Sequence, residues 1–243
     1  MDSGQKIALV TGANKGIGKE IARQLAAKGA LVLLGARDRK RGEQVETDLR
    51  GQGLSVQFIP LDITDQQSVD QAAASVEKQF GRLDILVNNA GIAMDWVPPS
   101  ELDPEILKKT YETNVFGSFR VTKAMLPLLK KSKAGRIVNM SSALGSLTLA
   151  STSQGPFQGA NHLMAYCSSK SALNAITVAL AKDLNGTGIK VNAANPGYVA
   201  TDMNDNKGVR TVEQGAATPV RLALLPDDGP TGGCFSDQGV VPW

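Results

Sequence analysis

One histidine and two cysteines are all that this chain of 243 residues carries of the residue types that most often hold zinc or build disulfide frameworks. With His162 alone and Cys167 far from Cys234, neither a zinc site nor a disulfide scaffold can be assembled, so no metal is expected and both thiols read as packing residues. The same shortage argues against a Ser-His-acid hydrolase, since no Gly-x-Ser-x-Gly elbow accompanies the one loop histidine. Apolar runs are only a few residues long, too short to cross a bilayer, and Met1 to Gln5 lacks the charged and apolar regions of a signal peptide. A cytoplasmic protein is expected. Charge of one sign is scarce too: 26 basic against 23 acidic residues leave +3, which supplies no general reason to bind nucleic acid or membrane. Aromatic residues make up 5% and apolar residues 42%, as in ordinary globular chains, and a single domain over residues 1–243 is expected. The chain shows no repeat, low-complexity tract or linker.

Short apolar runs alternate with segments of helical periodicity. Ile7 to Val10 leads into Thr11-Gly12-Ala13-Asn14-Lys15-Gly16-Ile17-Gly18, then into a helix over Lys19 to Lys28 stopped by Gly29. A buried strand, a glycine-rich turn and a helix start form a phosphate cradle: the glycines let the backbone turn tightly, and the free N–H groups and helix dipole hold an anion. The spacing Gly-x-x-x-Gly-x-Gly differs from the Gly-x-Gly-x-x-Gly fingerprint of many dinucleotide sites. A second strand, Ala30 to Leu34, runs into Gly35-Ala36-Arg37-Asp38. An acidic residue at that strand end would select NAD, whereas an arginine suits the 2′-phosphate of NADP. Arg37, with Lys15 in the turn, points to NADP(H). Asp38 reads as the cap of the following helix, and Arg39, Lys40 and Arg41 as its solvated face.

The alternation continues through a helix at Glu43 to Arg50, a strand at Ser55 to Pro60, a helix at Gln66 to Phe80 and a strand at Leu83 to Val87. It goes on through helices at Pro104 to Thr113 and Ser118 to Lys131, and a strand at Arg136 to Met140. A helix over Met164 to Leu184, a strand at Ile189 to Ala194, a helix at Val212 to Leu225 and a last short strand at Thr231 to Ser236 complete the series. Such a series predicts an α/β fold with a doubly wound parallel sheet. Asn88-Asn89-Ala90-Gly91 ends the fourth strand with small residues that would let a cofactor pass close, and Ser142 follows the fifth strand on the side of the ligand crevice. The long connection Ala143 to Ala165, with Leu147, Leu149, Phe157 and His162, is expected to border a substrate pocket, and His162 reads as structural or solvated. Trp96 either lines the mouth or packs. Asp202 to Arg210 is expected to be a mobile flap.

Tyr166 and Lys170 stand at i and i+4 of a helix, hence on one face. A phenol is a poor acid-base group at neutral pH, and a neighbouring ammonium would pull its pKa down into a useful range.

Taken together and in order, Thr11-Gly12-x-x-x-Gly16-x-Gly18, Asn88-Asn89-Ala90-Gly91, Asn114, Ser142, Tyr166-x-x-x-Lys170 and Pro196-Gly197 resemble the short-chain dehydrogenase/reductase family over nearly the whole chain. Asn14-Lys15-Gly16, Gly35-Ala36-Arg37 and the stretch Pro196 to Leu225 look most like its NADPH-dependent carbonyl reductases. The resemblance implies a Rossmann-type seven-stranded sheet of order 3-2-1-4-5-6-7 with helices on both faces. It also implies a catalytic tetrad of Asn114, Ser142, Tyr166 and Lys170. Ser142 would polarise a ketone, aldehyde or quinone carbonyl, Tyr166 would protonate it, Lys170 would hold the nicotinamide ribose and tune the phenol, and Asn114 would hold a relay water. Asp62 and Ile63 would flank the adenine, Asn88 and Ala90, with Gly91 beside them, the adenine ribose. Pro196, Gly197, Val199 and Thr201 would line the nicotinamide and phosphates. Ser142 and Tyr166 lie further apart than in most members and closer than in the monomeric carbonyl reductases, so both a homo-oligomer and a monomer stay open. A non-catalytic NADP(H) sensor, an alcohol dehydrogenase and a ketoacyl-thioester reductase stay open as alternatives.

Overall fold

The apolar runs form the strands of one sheet because their side chains alternate between two buried faces. In the computed structural model, which describes residues 4–152 and 162–243, the first strand β1 (Ile7–Thr11) is buried throughout. Ala8 and Val10 point into one core, Ile7 and Leu9 into the other. Strand β4 (Ile85–Asn88) divides in the same way, with Ile85 and Val87 on the first face and Leu86 on the second. Each large aliphatic side chain buried there contributes about 1.5–3 kcal/mol.

The remaining strands are β2 (Leu31–Ala36), β3 (Val56–Pro60), β5 (Arg136–Met140), β6 (Lys190–Ala194), β7 (Cys234–Ser236) and β8 (Gly239–Val241). Their order is 3-2-1-4-5-6-7-8. Strands β1 to β7 pair in parallel as expected, and β8 adds an antiparallel edge strand through a tight turn from β7, Cys234 facing Val241. Helices α1 (Gly16–Ala27), α2 (Arg39–Arg50) and α8 (Val212–Ala223) supply Ile21, Leu25, Val45, Leu49 and Val220 to one core. Helices α3 (Gln66–Phe80), α5 (Ser118–Leu129) and α7 (Met164–Asp183) cover the other face, with Val69, Val76, Val121, Met125 and Ala181 in its core.

Two further helices matter for the site. Helix α4 (Pro104–Tyr111) starts at the Asp103 cap and runs into a wider π turn, Glu112–Gly117, before α5 takes over. The short helix α6 (Leu147–Ala150) stands in the connection after β5, of which Phe157 lies outside the described residues. Helix α2 begins four residues earlier than periodicity alone indicates, because the Asp38 carboxylate accepts the Arg41 N–H and stabilises the first turn. The sheet order reverses between β1 and β4, and the crevice opens at the carboxyl ends of these two central strands. No helix among the described residues is long and apolar enough to cross a membrane.

Candidate active site

The glycine turn is built for close approach. Gly12 and Gly16 have φ of 65° and 54°, the left-handed region that glycine enters without penalty. Gly18, in the first turn of α1, has no room for a side chain: a Cβ there would stand 2.4 Å from both Asn89 Nδ2 and the Gly12 carbonyl oxygen. The turn is braced from β4, since Thr11 Oγ1 accepts the N–H groups of Asn89 and Ala90 at 2.9 and 3.0 Å, and Asn89 Nδ2 donates to the Thr11 carbonyl at 2.8 Å. Thr11 and Asn89 are thus working parts of the cradle that the motif contained without a role. Thr201 sits across from Gly16, where a Cβ would meet its methyl at 3.8 Å, so the segment after β6 closes the same crevice.

Around this cradle the cations differ in their engagements. Arg37, at the end of β2, is exposed and makes no ion pair among the described residues. Arg39 pairs with Glu43 and Arg41 with Asp38, consistent with a solvated helix face. Lys15 donates to Asp202 at 2.9 Å, and this partner holds the Asp202 carboxyl below its ordinary range. Asp202 lies in the segment expected to be a flap. Instead of hanging open, that segment is pinned at both ends: Ala200 N donates to the Arg210 carbonyl at 2.9 Å and Arg210 N to the Tyr198 carbonyl at 3.1 Å.

On the other side of the crevice, Tyr166 and Lys170 rise from the first turns of α7. The Lys170 Nζ lies 5.4 Å from the Tyr166 ring centroid and donates to the Met140 carbonyl at 2.8 Å. Lys170 is 4% exposed, and burial pushes its pKa down to about 8. The Tyr166 phenol is pushed up to about 12, again chiefly by burial, with a hydrogen bond to the Ser142 side chain acting the other way. The expected lowering by Lys170 is therefore not what governs the phenol: desolvation outweighs it, and Ser142 provides the downward pull. Ser142 stands just past β5 in extended backbone, its Oγ accepting the Leu144 N–H at 3.2 Å. Its neighbour Ser141 is buried and bonded to Asn174 at 2.6 Å, away from the cleft.

Asn114 is fully buried in the π turn. Its Oδ1 accepts the Ile92 N–H at 2.8 Å, while Nδ2 donates to the Ile92 carbonyl at 2.9 Å and to Ser169 Oγ at 3.0 Å. Both amide hydrogens are spent on protein partners, so the side chain braces the site. Gly91 lies over this cluster; a Cβ there would meet Asn114 Oδ1 at 3.3 Å and Lys170 Nζ at 3.5 Å. Gly145 lets its turn lie against α7, where a Cβ would stand 2.7 Å from that of Lys170.

Not every expected residue reaches the crevice. The Asn88 side chain turns into the sheet, donating to Thr122 Oγ1 and Asn139 Oδ1 at 2.8 Å each, and Asn139 donates on to Thr177 at 2.9 Å. Its Nδ2 is thus spent inside the sheet, while its buried Oδ1 has no partner among the described residues. Asp62 uses Oδ1 to accept from the N–H and hydroxyl of Thr64, Ile63 is 6% exposed within the core, and Val199 is 4% exposed. Gly197, with φ of 77°, packs against Arg210. His162 is exposed, and Trp96 is 60% exposed in the loop that also carries Met94 and Val97.

Residues 6–211 match the family model described as short chain dehydrogenase. The chain belongs to the short-chain dehydrogenases. Among its relatives is the (+)-neomenthol dehydrogenase of Arabidopsis thaliana, 40% identical over 97% of each chain. Another is the NADPH carbonyl reductase 1 of Mus musculus, 38% identical over the full length of both. In three dimensions this short-chain dehydrogenase superposes on the NADPH-bound carbonyl reductase from chicken fatty liver with a TM-score of 0.85, at 28% identity, covering 98% of this chain and 99% of the other.

Proposed function

We propose that this short-chain dehydrogenase is an NADPH-dependent reductase of ketone, aldehyde or quinone carbonyls, acting as a single catalytic domain on a small molecule. The observation that carries this reading is the convergence of Ser142, Tyr166 and Lys170 at the mouth of a glycine cradle whose free cation is Arg37. The residues fit the cofactor. A phosphate-bearing ligand finds a helix N-terminus at Gly16, left-handed glycines in place of side chains, and an unengaged guanidinium suited to a 2′-phosphate. The names of the relatives, a carbonyl reductase of the NADPH type and a neomenthol dehydrogenase, support both the cofactor and the substrate class.

When bound, NADPH supplies the hydride that the carbonyl carbon accepts. Everything else falls to side chains. The Ser142 hydroxyl donates to the carbonyl oxygen and polarises it, and Tyr166, fully protonated with its pKa near 12, gives that oxygen its proton. The Lys170 ammonium, held at 2.8 Å from the Met140 carbonyl, favours the phenolate that results and reaches the ribose side of the cofactor. Asn114 holds the loop at Ile92 and the helix at Ser169 in place.

The test is NADPH consumption against a panel of ketones, aldehydes and quinones, with NADH in parallel. Wild type turns over with NADPH preferred. Tyr166→Phe is expected to lose turnover while NADPH binding, followed by fluorescence, stays near wild type. Arg37→Ala weakens NADPH far more than NADH. Normal turnover in Tyr166→Phe would remove the proposed acid, and an equal effect of Arg37→Ala on both cofactors would remove the phosphate assignment.

A further inference from the structure

The helix that carries Tyr166 has no cap of its own. Its N-cap position is Leu163, an apolar residue whose side chain accepts nothing, yet the first-turn N–H groups of a helix need acceptors. Cys167 N is satisfied by the Leu163 carbonyl at 2.8 Å. Those of Ala165 and Tyr166 are satisfied from seventy positions away in the chain: Asp95 Oδ2 accepts from Ala165 N at 2.5 Å and Oδ1 from Tyr166 N at 3.3 Å. Asp95 is 1% exposed, although its neighbours Met94 and Trp96 are 40% and 60% exposed. The loop after β4 thus turns one carboxylate inward while presenting apolar side chains outward.

We infer that Asp95 is a positioning residue for the proton donor: its two oxygens fix the main chain at Ala165 and Tyr166, and through it the height of the phenol relative to Ser142 and Lys170. Three features support this. The carboxylate carries charge, and a charged acceptor at a helix start is stronger than a neutral one because it also meets the positive end of the helix dipole. It contacts the backbone of the acid itself rather than a remote turn, so a loss of the contact moves the reacting oxygen directly. The segment that bears it also exposes Met94 and Trp96, so a substrate that packed on those side chains would rest on a loop anchored to the acid's own peptide group. The charge of Asp95 is felt locally, since it assists burial in pushing the Cys167 thiol up to about 11.

The inference rests on the reading of Tyr166 as the proton donor, and the variants separate the two. Asp95→Ala removes both acceptors, whereas Asp95→Asn keeps one oxygen and sets an amide N–H₂ against the second backbone donor. The expected order of kcat is wild type, then Asn, then Ala, with Ala lower than wild type by about 10- to 100-fold, the scale on which sub-ångström misplacement of a reacting group is felt. NADPH affinity by fluorescence is expected to stay within about twofold, because the cradle at Gly12 to Gly18 is untouched. Should Asp95→Ala fail to fold, the comparison of Asp95→Asn with wild type carries the test. An unchanged kcat in either variant, an Asn variant no better than Ala, or a kcat loss matched by equal loss of NADPH binding would overturn the assignment. Tyr166→Phe measured alongside tells the failures apart: if it remains active, the proton-donor reading falls, and if it is inactive while Asp95→Ala is normal, the Asp95 inference alone falls.

Discussion

Asn114→Ala is expected to cost far more than the loss of one amide from a helix. The side chain is fully buried and serves three partners on two elements. Truncation leaves the Ile92 N–H and the Ile92 carbonyl without acceptor and donor, while Ser169 Oγ keeps its own bond to the Tyr166 carbonyl at 2.7 Å. Two orphaned backbone groups at about 1–3 kcal/mol each, plus the cavity, amount to at least about 3 kcal/mol. With a urea slope of about 3 kcal/mol per molar, the unfolding midpoint falls by more than about 1 M. Ser169→Ala, which removes the arm reaching α7 together with the bond from Ser169 to the Tyr166 carbonyl, is expected to cost about 1–2 kcal/mol. Equilibrium urea unfolding of the two variants beside wild type measures both. A midpoint within about 0.3 M of wild type for Asn114→Ala would show that the π turn holds without this side chain. Equal losses in the two variants would place the load on the Ser169 arm instead of the Ile92 loop.

Two other expectations concern charge. Asp202→Asn releases Lys15 from its ion pair at 2.9 Å, so NADPH affinity should rise, and more than that for NADH; weaker NADPH binding in a fluorescence titration would show that the pair shapes the cradle instead of competing with the cofactor. The pH profile of reduction should be level at neutral pH and fall as pH rises through about 8, where Lys170 loses its proton, and Lys170→Arg should move that limb upward. Stability runs the opposite way. The folded pKa of Lys170 lies below the ordinary value of about 10.4, so between the two values the unfolded chain binds more protons and this group's contribution to stability rises with pH. Only above about 10 does Tyr166, raised to about 12, act in the other direction. The difference in urea midpoint between wild type and Lys170→Met at pH 7 and 9 checks the sign; an activity loss at pH 9 that tracks unfolding would contradict it.

The fold was legible wherever its signals are local. Apolar runs such as Ile7 to Val10 and Arg136 to Met140, the glycines after them and the Asp38 cap each act within a few residues, and strands and helices follow from them. The Tyr166–Lys170 pairing was legible for the same reason, being one helical turn. Strand β8 was not, because three residues at the sheet edge carry no pattern of their own and exist by pairing with β7. Nor was the π turn at Asn114, whose side chain is held by the Ile92 backbone 22 positions away. The same distance problem hid the sheet partners of Asn88: the resemblance puts this residue beside the adenine ribose, while its side chain meets Thr122 and Asn139 from elements far along the chain. The pKa of Tyr166 depends on how deep the phenol sits, a quantity no spacing encodes.

The run of amides and hydroxyls from Thr122 through Asn88 and Asn139 to Thr177 has a consequence for how the sheet aligns itself. Apart from the buried Arg136 that opens β5, strands β4 and β5 are otherwise nearly uniform aliphatic segments, and sliding one past the other by two residues would keep every side chain on its proper face. Such a slide would carry Asn139 away from Asn88 and set each amide among aliphatic neighbours, at a cost of about 1–3 kcal/mol per stranded group. The polar pair thus works as a notch in a greasy rail: it admits one alignment of β4 against β5. Because Gly91 follows the first strand and Ser142 the second, that alignment sets how far each loop stands out over the crevice.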